Sequence, residues 1–174
     1  SFVLISAVML TATAALADES ATSESKTEYK NNGGYESTSS SEETTPEGTS
    51  KTSKTTVDVD VDRNGLASKD IKTKTTTDPE GLFNKKTSSS EDRTKQKANG
   101  GYTRTTTHEK TDAAGTNISS KTKTDVDVDA GGNTVATTKS QQTVDPKGLM
   151  NKHTTTSETK SVNGTVVEEN QESK

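Results

Sequence analysis

The residues that could do chemistry are few, and most of them are carboxylates. Val57-Asp58-Val59-Asp60-Val61-Asp62 alternates strictly, and Asp125-Val126-Asp127-Val128-Asp129 repeats the pattern downstream. In Asp60-x-Asp62-x-Asn64-Gly65, oxygen donors stand at alternate positions ahead of a glycine, which is how a twelve-residue calcium loop opens. Ile71 stands where that loop needs its closing carboxylate, and the second copy has Gly131 in the place of Asn64. A weak calcium site is therefore one expectation. The other is a solvated Asp face opposite a Val face, with lysines on neighbouring strands supplying the countercharge. His108 and His153, the two histidines, fall opposite Ser41 and Lys86 in the other copy, so neither belongs to the shared design. With no Cys in the chain and no carboxylate at helical spacing, zinc and general-base roles are not expected. No catalytic, cofactor-binding or metal residue is assigned, and no cofactor is expected.

Hydroxyl and amide groups are the remaining candidates. Thr103-Arg104-Thr105 and Thr154-Thr155-Thr156 would suit a flat, ice-binding hydroxyl face. Such a face needs a rigid apolar layer behind it, and here charged residues fill alternate positions. Asn117-Ile118-Ser119 and Asn163-Gly164-Thr165 match the glycosylation acceptor pattern, which matters only in a eukaryotic host.

Positioning any of these groups requires an ordered scaffold, and composition limits its kind. Only 23% of the 174 residues are apolar and 3% aromatic, and much of the apolar content sits in Ser1–Ala17. Beyond residue 17, ten Val, three Leu, two Ile, one Phe and one Met cannot build a conventional core. Without a rigid interior there is no preorganised pocket, so an enzyme is not expected. The absence of Cys also excludes a disulfide framework. Charges of both signs are interspersed, with Lys+Arg 22 against Asp+Glu 26. That is a solvated surface, not a nucleic-acid or membrane footprint.

The chain repeats without a gap at an offset of 67. Asn32-Gly33-Gly34-Tyr35 returns as Asn99-Gly100-Gly101-Tyr102, and Asp78-Pro79-Glu80-Gly81 as Asp145-Pro146-Lys147-Gly148. Two copies in this relation make the repeat the structural unit. The twelve glycines fall at nine regularly spaced sites, five of them reading Asp-x-x-Gly and a sixth Thr45-Pro46-Glu47-Gly48. Asp, Pro and Gly at those places favour type I turns in which the last glycine of a site is left-handed and closes a bulged hairpin. Nine turns divide the chain beyond residue 17 into about ten segments. Thr and Val at alternate positions favour strands in them, and no 3.6-residue apolar period follows residue 17.

The expected fold is all-β, an extended antiparallel β-meander of about ten strands in a thin or single-layer sheet built from two 67-residue repeats. Substantial disorder is the alternative, because Val, Ile, Leu and Phe fall well below the usual content of a folded chain. Periodic turn glycines and a net charge of −4 argue for order. Small apolar patches remain around Val57, Val59, Val61, Ile71, Leu82 and Phe83, echoed by Val126, Val128, Val135, Val144, Leu149 and Met150. They could share one face or staple the repeats together. In composition the chain resembles the single-layer sheets of some spirochaete surface lipoproteins, a likeness that no motif carries.

Residues 1–17 read as a secretory signal peptide with Ala15-Leu16-Ala17 as the cleavage triplet. Residues 18–31 are expected as a loose N-terminal segment, 32–98 as repeat 1, 99–165 as repeat 2 and 166–174 as a polar C-terminal tail. The functional expectation is an exported, non-catalytic structural or surface-interaction repeat protein of the cell envelope or extracellular space. Its alternatives are a weak calcium-binding, cation-responsive module using the Asp-x-Asp-x-Asp strands, or a disordered polar spacer. A protein or surface-polymer partner is expected, with no nucleic acid and no membrane insertion after signal cleavage. Charge in Ser23–Lys30 and at Glu168, Glu169, Glu172 and Lys174 protects the outer strands. The expected state is thus a monomer, with fibre-like edge association as the minor alternative.

One consequence concerns the Asp-Pro-x-Gly sites. Gly81→Val and Gly148→Val should each destabilise the sheet by about 1 kcal/mol or more, because a β-branched residue resists positive φ. Thermal unfolding followed by circular dichroism checks it; unchanged melting in both variants would remove the turn assignment.

Overall fold

Each of the nine glycine sites marks one connection between long strands. A computed structural model describes residues 14–16, 19–81, 84–148 and 150–174. Its strands are β1 (Ala14–Leu16), β2 (Glu19–Tyr29), β3 (Tyr35–Thr44), β4 (Ser50–Val61), β5 (Ala67–Asp78) and β6 (Lys86–Gln96). They continue with β7 (Tyr102–Thr111), β8 (Asn117–Val128), β9 (Thr134–Asp145), β10 (His153–Val162) and β11 (Thr165–Ser173). All lie in one open sheet in chain order, each antiparallel to the next. The fold is all-β, an antiparallel meander, and there is no helix among the described residues. Most of the expected signal peptide, together with Leu82, Phe83 and Leu149 of the apolar patches, lies outside the described residues.

Six connections share one backbone design: 30–34, 45–49, 62–66, 97–101, 112–116 and 129–133. In each, the first residue donates its N–H to the fifth carbonyl, and the fourth donates to the first carbonyl. This is a type I turn with a glycine bulge, which matches the twist of the strands it joins. Its glycine is the fourth residue, so at Gly33-Gly34 and Gly100-Gly101 the first glycine is left-handed, at φ 84° and 81°, whereas at Gly131-Gly132 it is the last, Gly132 at φ 82°. Asp62, Asp112 and Asp129 reinforce their turns by accepting two backbone N–H bonds each on one carboxylate oxygen, at 2.8–2.9 Å.

Gly34 and Gly101 have a different task. A Cβ on Gly34 would sit 2.0 Å from the Val59 carbonyl oxygen, and one on Gly101 would sit 2.1 Å from that of Val126. These are the two buried residues among those described. Here the neighbouring backbone comes so close that only glycine fits.

The two Asp-Pro-x-Gly sites differ from the expected bulged hairpin. Thr77 pairs with Lys86 and Val144 with His153, so connections 78–85 and 145–152 are longer than the other turns. Gly81 and Gly148 do have positive φ, at 115° and 141°, but lie away from the values near 80° of the bulged turns. The last connection is shorter: Val162 pairs with Thr165 around Asn163 (φ 49°) and Gly164 (φ 80°), a two-residue type I′ turn.

Two segments expected outside the repeats carry full strands. Glu19–Tyr29, placed in the loose N-terminal segment, pairs with β3 from Ser20↔Thr44 to Tyr29↔Tyr35. Residues 166–174, expected as a polar tail, contribute most of β11, which pairs with β10 through a bulge at Lys160/Ser161. Polarity does not exclude a strand here, because a single-layer sheet asks its strands for backbone pairing and not for apolar burial. The register also recurs at the offset of 67. Glu24↔Ser40 becomes Glu91↔Thr107, and Tyr35↔Val59 becomes Tyr102↔Val126.

No hydrophobic and no polar side chain among the described residues is buried. Val57, Val59, Val61 and Ile71 are half-buried on one face, and Met150 is fully exposed. Gly34→Ala and Gly101→Ala should each cost about 1–3 kcal/mol by forcing two strands apart. Gly131→Ala, which would meet only the movable side chains of Asp129 and Asn133, should change stability by less than about 0.5 kcal/mol. Chemical denaturation of the three variants tests the contrast, and equal losses would refute the close-approach assignment.

Candidate functional site

Period-two alternation gives the sheet two unlike faces, because residues paired across strands share a side. Tyr29, Tyr35, Val59 and Lys69 form one such row, and Ser37, Val57, Ile71 and Asp92 form the next. On this first face, paired hydroxyls bond across strands: Thr27 to Ser37 at 3.0 Å, Thr55 with Thr73 at 3.1 Å, and Ser53 with Thr75 at 3.3 Å. In the second repeat, Thr122 with Ser140 and Thr124 with Thr138 do the same at 3.2 Å. Arg104 and Asp92 form a charged pair on this face, with Nε 3.0 Å and 3.1 Å from the two carboxylate oxygens.

The opposite face carries most of the charge. Arg93 Nη2 lies 2.9 Å from both Asp70 Oδ2 and Glu91 Oε1, and Lys72 Nζ lies 3.5 Å from the same two carboxylates. Asp70 Oδ1 is left buried without a hydrogen-bond partner. Lys54 stands directly opposite Lys74, and Lys123 opposite Lys139. Alternation therefore sorts the Lys72-Thr73-Lys74-Thr75 run: its lysines face this side and its threonines the hydroxyl side. In β7 the sorting reverses, since Thr103 and Thr105 share the side of Asp125 and Lys123.

The Asp triplets are divided between two jobs. Lys30 reaches across the end of β3 to both Asp58 and Asp60, bonding Asp60 Oδ1 at 2.7 Å. Asn32 Nδ2 donates to the same Asp60 oxygen at 3.3 Å, while its Oδ1 accepts from Gly34 N at 3.0 Å. Lys97 and Asn99 repeat this clamp on Asp125 and Asp127, with Lys97 2.8 Å and Asn99 2.9 Å from Asp127 Oδ1. Gly34 and Gly101 lie beside these lysines, so no side chain of theirs stands between the amine and the carboxylates. Asp62 and Asp129 instead cap their turns. The expected countercharging lysines are thus present, but they come from the turn before β3 and β7, not from an adjacent strand. The spacing of 28 residues between Lys30 and Asp58, and between Lys97 and Asp125, was the signal available in the sequence.

Protonation follows from these contacts. The Lys30 amine beside Asp60 holds that carboxyl below its usual range, helped by Asn32, and Lys97 with Asn99 does the same for Asp127. Lys30 and Lys97 are raised in turn by their carboxylate pairs, Asp58 with Asp60 and Asp125 with Asp127. Asp112 is lowered by the Thr116 backbone N–H, and Asp129 by the Asn133 side chain and backbone.

The other sequence candidates are dispersed. His108 pairs across to Ser90 and Ser120, and His153 Nε2 lies 3.0 Å from Ser173 Oγ. Among the described residues, no group of three or more His, Asp or Glu is placed to hold a metal ion. Of the sequon asparagines, Asn163 donates its amide to Asn133 Oδ1 at 3.0 Å and accepts from Thr134 N at 2.9 Å, whereas Asn117 Oδ1 accepts from Thr111 at 2.7 Å.

Comparisons with protein-family models, with curated proteins and with solved structures found no match to this chain.

The clamps make stability depend on pH at both ends. Asp60, Asp127, Asp112 and Asp129 have lowered folded values, so their contribution is complete above an unfolded value of about 4 and is lost as pH falls through the folded ones. Lys30 and Lys97 have raised folded values, so theirs is complete below about 10.4 and is lost as pH climbs past the folded ones. Melting temperature should therefore fall at both extremes. A Lys30→Met/Lys97→Met variant should lose part of the alkaline fall, keeping the share due to Lys26, which Glu28 raises, and part of the acid one, keeping the share due to Asp112 and Asp129. Superimposable pH profiles for variant and parent would show that the clamps do not matter.

Proposed function

We propose that the chain is an exported, non-catalytic repeat protein that acts as a structural or surface-interaction platform of the cell envelope or extracellular space. The observation that carries this reading is a single-layer sheet in which no side chain among the described residues is buried. Such a sheet offers area instead of a cavity, and a preorganised reaction site needs a packed interior to hold it. Its two faces differ, one dominated by hydroxyl rows and aliphatic side chains and the other by ion pairs, so the platform has two distinct surfaces for other molecules. The Ser1–Ala17 signal pattern supports export. In this reading the Asp triplets are structural: they hold Lys30, Lys97 and the turn backbones.

The test is export itself. Expressed with residues 1–17 in place, the chain should be recovered outside the cytoplasm with Asp18 as its first residue, read by N-terminal sequencing. External protease on intact cells should degrade it if it sits at the surface. Recovery from the cytoplasm with residues 1–17 attached would overturn the proposal.

A further inference from the structure

Strands β2, β6 and β10 are one strand used three times. At steps of 67, Ser23-Glu24-Ser25-Lys26-Thr27 becomes Ser90-Glu91-Asp92-Arg93-Thr94 and then Ser157-Glu158-Thr159-Lys160-Ser161. The strand starts at Glu19, Lys86 and His153 keep the same step. Toward the following strand, β2 and β6 pair in the same register, as Glu24↔Ser40 and Glu91↔Thr107 show.

Toward the preceding strand they differ. β6 lies against β5, which sets Lys72 opposite Glu91 and Asp70 opposite Arg93. The contacts are 3.5 Å for the first pair and 2.9 Å for the second. β10 lies against β9, which sets Lys139 opposite Glu158 at 3.0 Å. Both internal neighbours thus present a lysine to the glutamate of the Ser-Glu-x-Lys/Arg strand. β2 has only Ala14–Leu16 on that side among the described residues, and these pair with Glu19–Ala21. Among the described residues, Glu24 and Lys26 therefore face no neighbour there; Lys26 turns along its own strand to Glu28 at 2.5 Å.

We propose that the outer edge of β2, from Thr22 to Tyr29, is a docking edge for an extended, threonine-rich segment of a partner chain that sets a lysine opposite Glu24. Two things select this occupant. The backbone edge continues the ladder already formed by β5–β6 and β9–β10, and strand addition to such an edge is a general mode of peptide recognition. Charge then sets the register: Glu24 calls for a cation directly across, and Lys26 accepts an acid there, as Arg93 accepts Asp70. A second copy of this chain is disfavoured as occupant through its β11 edge. Docked by β11, it would bring Glu168 and Glu172 to the Glu24 and Glu28 side, and β11 bulges opposite Lys160/Ser161, which bends the strand. The docking rests on the export reading in that removal of residues 1–17 frees the whole edge.

The probe is a fluorescent peptide with the sequence of Ala67–Asp78, titrated with the exported, processed chain and followed by anisotropy. Saturable binding is expected. Glu24→Lys should weaken it by about tenfold or more, and a Lys72→Glu peptide should fail on the parent chain but bind Glu24→Lys. Circular dichroism of the variant confirms that its sheet is intact. Absence of binding, equal binding of a scrambled peptide, or indifference to Glu24→Lys would overturn the proposal. So would sedimentation showing that the processed chain self-associates through this edge without peptide, which would make a second copy the occupant. Mass spectrometry reports the export reading separately. If residues 1–17 are retained, that reading fails alone, and the same titration after cleavage at an inserted protease site still decides the docking.

Discussion

The backbone ladder is the interaction on which everything else in this protein depends. In a protein with a core, strands are held both by neighbours in the sheet and by the layer packed beneath them. Here the second support is missing among the described residues, and each interior strand is fixed only by its two flanking strands. Net stabilisation from each such bond is modest, about 1 kcal/mol, so cohesion must come from many of them in an unbroken register. That explains strands of 9–12 residues in β2 to β11 and their strictly sequential order. Each hairpin is local in sequence, which limits the loop entropy to be overcome before the next pair forms.

With the ladder as the only skeleton, the side chains are free to specialise by face. Rows of Ser and Thr bond across strands on one side, and apolar pairs such as Val57↔Ile71 take the same positions in the first repeat that Thr124↔Thr138 take in the second. An aliphatic pair and a hydroxyl pair are interchangeable there because neither is buried. On the other side, ion pairs are exposed, and their value lies in matching strands correctly more than in raw stability. The Lys30 and Lys97 clamps are the clearest case: each spans from one turn to the second strand beyond it, over a glycine that leaves the way open. A register slip of one residue would carry the carboxylates to the opposite face.

Much of this was legible in the residues. Glycine spacing marked the nine connections, Thr and Val alternation marked the strands, and the offset of 67 marked the repeat. What the residues concealed had physical causes. Glu19–Tyr29 and Thr165–Ser173 lack apolar content, and low hydrophobicity looks like disorder when a core is assumed. Ser-Glu recurring at 23, 90 and 157 was the available signal that the first of these is a repeat strand. The Asp-Pro-x-Gly sites resembled the other turns because they share the Asp-x-x-Gly spacing, and the difference lies in the length of chain between the glycine and the next strand.

The sequence by itself determined where the turns fall, the strand class and the face on which each strand residue falls, because all three follow from local backbone preference and a period of two. The tertiary structure alone decided which charges meet. Asp60 could have served a cation, a neighbouring lysine or a turn, and all three readings fit its spacing. Its partnership with Lys30 and Asn32 exists only because two successive hairpins, in one register, bring residues 28 and 30 apart to hydrogen-bond distance. The same accumulation of registers left Glu24 at an edge while Glu91 and Glu158 gained lysines, although the three strands share one pattern. Local propensity assigns a residue to a strand and a side; its partner depends on every hairpin formed between them.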